Sequence, residues 1–245
     1  MFATRLPSEQ ICQAHGVKNM GLLRSLARVA IATTAYFAVH SLMASRTVKR
    51  KVEARFGTRT RNALYRPLYN AQAIGGLIAL TVYIRRQPNV TLYEIKGTPG
   101  LFLRTAQVLL TMEAAATAHQ VGILRFSGLP ALMLWLTGKP EIPREPEGQG
   151  PGLNADGSLR ITGAFRNVRH PLNGLVVVIF ALSPRMTTNW AAVCGICAAY
   201  CVLGSRHEEI RLRERYGERY ADYQRSAVPF FIPRLCPAPP PASEN

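Results

Sequence analysis

Acidic residues are scarce in this chain: 14 Asp and Glu stand against 30 Lys and Arg, a formal charge of +16 over 245 residues. On a soluble protein that balance would point to nucleic acid. Here 48% of residues are hydrophobic, and the cations flank the apolar runs. Basic loops beside apolar runs hold membrane proteins in orientation, so membrane lipid is the expected partner and nucleic acid is not. Cysteine is scarce too. Cys12, Cys194, Cys197, Cys201 and Cys236 are an odd number, and three share one apolar run, which argues against a disulfide framework. The opening stretch "MFATRLPSEQICQAHGVKNM" is polar, and no small-residue cleavage site follows the first apolar run, so no signal peptide is expected. No internal repeat is present.

What is there reads as an all-α, polytopic membrane bundle of about five spans. The first runs from about Leu26 to Met43 and is followed by Arg46, Lys49, Arg50, Lys51, Arg55, Arg59, Arg61 and Arg66. So dense a cationic loop belongs in the cytoplasm, which puts the N-terminus outside. Further spans are expected at Tyr69–Ile84 and Leu101–Val121. The latter carries Arg104, Glu113 and His119, which should face a bundle interior, a wet cavity or an interface. Residues 123–138, broken by Gly128 and Pro130, read as re-entrant or interfacial. A Pro- and Gly-rich loop follows. Pro171–Ser183 and Asn189–Gly204 then form an apolar hairpin whose arms are short for a bilayer. A charged interfacial helix and a cytoplasmic C-terminus complete the topology. The organisation is a polar segment (1–25), one membrane domain (26–234, with a site region at 165–234) and a disordered Pro-rich tail (235–245).

The hairpin mouth concentrates chemistry. "VRHPLNG" precedes one arm and "SRHEEIRLRERYGERYADYQ" follows the other, so Arg169, His170, Arg206, His207, Glu208 and Glu209 converge. Pro171 suits a first helical turn, whose free N–H groups attract an anion. Glu208 and Glu209 could hold an ammonium, a ribose hydroxyl pair or a sulfonium. A zwitterion such as S-adenosylmethionine (SAM) matches both halves. Spacing alone does not choose it, and cations that snorkel beside neutralising carboxylates give the plainer reading.

The order "RHPLNG", apolar hairpin, "EEIRLRERYGERYADYQRSAVPFFIP" resembles the C-terminal signature of the isoprenylcysteine carboxyl methyltransferase-like membrane enzymes, with Gly217, Tyr220, Tyr223, Val228 and Pro229 on its later positions. "FAVHSLMASRTVKR" and "YRPLYNAQA" resemble the NnrU and methanethiol S-methyltransferase branch. The resemblance implies SAM-dependent methyl transfer in the membrane to a small or lipophilic acceptor, preferably a thiol. It implies that His170, Pro171, Leu172, Asn173 and Gly174, with Glu208 and Glu209, hold the cofactor. Arg169 and Arg206 would polarise the substrate. Asn173 stands where the family has Tyr and lacks its aromatic face. The sequence shows no dedicated general base, which suits an acceptor already nucleophilic, such as a thiolate.

Other readings remain open. His40 and His119 could pair on haem, in an NnrU-type protein of nitrogen-oxide or redox metabolism. A scaffold whose charges only set topology is a third possibility. Cys194, Cys197 and Cys201 lie near one helix face, as metal ligands would, but small residues on membrane helices ordinarily serve packing. Leu212, Tyr216, Tyr220 and Tyr223 share a face for which packing is the expected role, with a lid over the cofactor as the sharper alternative.

Overall fold

The computed structural model describes residues 8–145 and 148–233, with side chains from Met20 onward. The side chains of Cys12 and His15, and Cys236 with the Pro-rich tail, lie outside what it describes. Eleven elements matter here: α1 (Ser8–Ala44), α2 (Arg46–Phe56), α3 (Thr58–Arg85), β1 (Thr91–Glu94), α4 (Gly97–Val121), α5 (Ile123–Ser127), α6 (Leu129–Leu136), α7 (Pro171–Ala181), β2 (Arg185–Thr187), α8 (Thr188–Tyr216) and α9 (Glu218–Arg225).

Among the described residues three helices are long and apolar enough to cross a bilayer: Met20–Ala44, Thr58–Arg85 and Thr188–Tyr216. Their outward faces carry large apolar side chains, including Ile31, Leu42, Leu68, Ile74, Ile78 and Leu203, all exposed. A surface of this kind suits lipid rather than water. The expected count of five spans is met only in part. Helix α4 has comparable length but is not among the three, and α7, with 11 residues, rises only about 16 Å. Residues 123–138 fold as the short helices α5 and α6, split at Gly128, whose φ of 76° needs a residue without Cβ.

The bundle closes through small-residue faces. Ser25, Val29 and Thr33 recur every four residues on α1, are fully buried or nearly so, and α1 packs against α8. Such spacing stacks the three on one helix face. At one end, Ser25 Oγ and Asn189 Nδ2 both donate to the Pro88 carbonyl, at 2.6 and 3.0 Å.

Two short strands correct the all-α expectation. β1 and β2 pair antiparallel, Glu94 opposite Arg185 and Tyr93 opposite Met186. They join the α3–α4 connection to the α7–α8 turn, and Ile95 N→Pro184 O at 2.8 Å and Thr188 N→Val90 O at 2.9 Å extend the pairing. Two chain reversals lying side by side leave backbone polar groups that pairing satisfies. Thr187 Oγ then caps α8 by accepting from Trp190 N at 3.2 Å.

At the opposite end, α2 lies between α1 and α3. Ser45 Oγ caps its start by accepting from Val48 N. Lys49 and Arg61 turn inward to the buried Glu145 at 2.6 and 3.0 Å. Asn62 Nδ2 donates to Ile142 O at 2.9 Å. The loop after α6 is thereby clamped across α2 and α3 and led onward to α8.

Candidate functional site

The site is built from the N-terminus of α7 and the last turns of α8. Arg169 Nε donates to Glu209 Oε1 at 2.7 Å, and Arg169 Nη1 donates to the carbonyls of Val228 (2.9 Å) and Gln224 (3.3 Å). Its backbone N–H meets Pro229 O at 2.9 Å, and its guanidinium lies 5.7 Å from the Phe230 ring centre. His170 is buried between the two carboxylates, with Nδ1 3.5 Å from Glu208 Oε2 and Nε2 3.5 Å from Glu209 Oε1. Gly174 sits where a Cβ would come within 3.2 Å of the Phe231 carbonyl. The segment 228–231 is therefore seated directly on the start of α7. Arg169, His170, Glu208 and Glu209 do converge, though 40 positions separate Arg169 from Glu209.

Burial alone would lower the pKa of His170, but Glu208 and Glu209 outweigh it and hold the value above the ordinary one. A His with a raised folded value stabilises the fold fully below its unfolded value of about 6.5. That contribution is lost as pH rises through the folded value. The thermal midpoint in detergent should fall as pH climbs from about 6.5, and His170→Gln should flatten the fall. An identical slope in the variant would remove His170 as its cause.

Beside this charged lock lies a cavity of about 500 Å³ whose lining includes Asn173, Glu208, His40, Lys49, Arg66, Tyr69, Tyr200, Phe126, Gln149, His207 and Arg211. That volume is within the range of small-molecule sites. Asn173 Nδ2 donates to Ser205 Oγ at 2.8 Å, tying α7 to α8. Glu208 accepts from Gln149 N, and the Gly148 backbone passes so close that a Cβ there would lie 2.9 Å from Glu208 Oε1. The clamped loop thus forms one wall.

The motif residues divide between two roles. Asn173 and Glu208 line the cavity, whereas Arg169, His170 and Glu209 form the lock behind it. Pro171 and Gly174 are buried in the first turn of α7. Leu172 lines an adjoining hollow of about 390 Å³ with Ile74, Ala118, Val121 and Ile123; Arg66, Phe126 and Gln149 border both spaces. Arg206 is exposed, outside both linings. Leu212, Tyr220 and Tyr223 pack with Val228 in one buried cluster, and Tyr216 packs against it. Tyr223 Oη donates to Phe165 O at 2.6 Å. A larger hollow of about 890 Å³ beside Tyr223 and Val228 includes neither Asn173 nor Glu208.

Reading by sequence missed Lys49, Arg66, Tyr69, Phe126 and Tyr200. The stretch "YRPLY" carried the signal for two of them, an Arg and a Tyr three apart and so on one helix face. The haem reading fails on placement. His40 Nε2 is taken by Tyr69 Oη at 2.6 Å, and His119 is exposed on α4, outside the cavity that His40 lines. Cys197 and Cys201 are buried free thiols, and no described group of three or more His, Cys, Asp or Glu could hold a metal.

Comparison with known proteins gives a partial likeness. Over 85 residues the chain is 32% identical to methanethiol S-methyltransferase of Pseudomonas deceptionensis, covering 35% of this chain and 32% of that protein. It thus spans about a third of the length of the curated relative it matches. No family model matches the chain, and no solved structure matches it. The likeness is to a methyltransferase.

Proposed function

We propose that the chain is a helical membrane methyltransferase that takes its methyl group from SAM and delivers it to a small or lipophilic thiol. One observation carries this reading: the two motif residues Asn173 and Glu208 face His40, Arg66, Tyr69 and Tyr200 across one cavity. The donor set suits the cofactor. Glu208 offers a carboxylate for ribose hydroxyls or an ammonium, while Lys49, Arg66 and Arg211 offer cations for a carboxylate. Tyr69, Tyr200 and Phe126 offer the aromatic faces that Asn173 lacks, and such faces attract a sulfonium.

Bound there, SAM would supply an electrophilic methyl on a sulfonium. The protein's part is placement and exclusion of water. The clamped loop covers one side of the cavity, and the lock behind it fixes the start of α7. The adjoining apolar hollow, bordered by Ile74 on α3 and Ala118 on α4, suits an acceptor that partitions into lipid. The basic α2 region is read as cytoplasmic, with the small sheet on the other side.

Titration calorimetry with SAM in lipid nanodiscs tests the reading. Hydrogen bonds to charged groups contribute about 1.5–3 kcal/mol, so Glu208→Gln should weaken SAM binding by roughly ten- to a hundredfold. If the unaltered protein fails to bind SAM, the proposal falls.

A further inference from the structure

The tyrosines around the cavity differ in what their hydroxyls touch. Tyr65 Oη donates to Met43 O, and Tyr36 Oη donates to Ala73 O at 3.0 Å. A carbonyl accepts a hydrogen bond but takes no proton, so these contacts only fasten helices. Tyr69 Oη instead meets His40 Nε2 at 2.6 Å, and both residues line the cavity. The other ring nitrogen of His40 is buried without a hydrogen-bond partner. Arg66, held by its Nε–H to Phe126 O at 2.8 Å, places its guanidinium 5.2 Å from the centre of the Tyr69 ring. A hydrogen-bonded Tyr–His pair therefore lies beside a fixed cation, on the wall facing Glu208 and Asn173.

We propose that Tyr69 and His40 are catalytic, ionising the thiol acceptor, and that Arg66 steadies the resulting thiolate. This rests on the methyltransferase reading above. The thiol S–H bond breaks, and its proton passes to Tyr69 Oη as the Tyr69 proton passes to His40 Nε2. The electron pair stays on sulfur. That pair forms the new S–C bond as the bond between the methyl and the donor's sulfonium breaks, its electrons returning to the donor sulfur. His40 then releases its proton to water. The other charged and titratable groups lining the cavity are Lys49, Arg66, Tyr200, Cys201, His207, Glu208 and Arg211, and Tyr36 stacks 6.1 Å from the His40 ring. Lys49, Arg66 and Arg211 outnumber the one carboxylate, which favours a bound thiolate.

The test needs no turnover. Ethanethiol is titrated into protein loaded with S-adenosylhomocysteine, and the ultraviolet thiolate band is followed against pH. Tyr69→Phe and His40→Gln should move its midpoint upward by about one unit or more, a tenfold or greater change in thiol ionisation. Circular dichroism should show both variants folded, and saturating S-adenosylhomocysteine should still occupy them. In turnover with SAM, both variants should lose roughly 10²–10⁴-fold with ethanethiol. Pentafluorobenzenethiol, already ionised, should restore most of that rate. Unshifted midpoints with intact S-adenosylhomocysteine binding overturn the assignment while leaving the methyltransferase reading in place. Absence of that binding in the unaltered protein overturns both.

Discussion

Glu145→Ala should unfold the α2 end of the bundle and lower stability by about 3–5 kcal/mol, the usual cost of stranding a buried charge. Glu145 is the shared partner of Lys49 and Arg61, and side-chain exposure is only 4%, 11% and 7% for the three. Removing the carboxylate leaves two buried cations facing one another, so the effect should exceed that of losing either cation. Lys49→Met, which leaves the Arg61–Glu145 pair, should cost less. Thermal unfolding in detergent checks the order. A Glu145→Ala midpoint equal to that of the unaltered protein would mean that water reaches the cations freely.

Arg169→Ala is the second large effect, also about 3–5 kcal/mol by the same logic. Glu209 would lose its closest cation, and the carbonyls of Gln224 and Val228 would lose their guanidinium donor. The loss should be local. Hydrogen exchange should quicken across residues 223–231 while α1 and α3 stay protected. Arg169→Lys should recover only part, because one ammonium does not reproduce a planar fork of donors aimed at a carboxylate and two carbonyls. Full recovery by Lys would reduce Arg169 to a point charge.

Some of this was legible from the order of residues. The hairpin brings the two charged stretches together because α7 and α8 run antiparallel from a tight turn, so Arg169, His170, Glu208 and Glu209 had few other places to go. The packing of Leu212, Tyr220 and Tyr223 was anticipated, but not on one helix: α8 ends at Tyr216, and Gly217 separates Leu212 from the two tyrosines of α9. The other half of the cavity was not. Glu145 reaches Arg61 across 84 positions, and Tyr69 reaches His40 across 29, through helix packing that no local pattern encodes. The strands escaped notice because "TLYE" and "RMT" are too short for alternation to register. Arg169 looked like a substrate residue because an exposed cation and a buried strut are spelled alike.

The small sheet carries a mechanical consequence. It laces the α3–α4 reversal to the α7–α8 reversal, so these two helical pairs cannot splay at that end without tearing a ladder of backbone bonds.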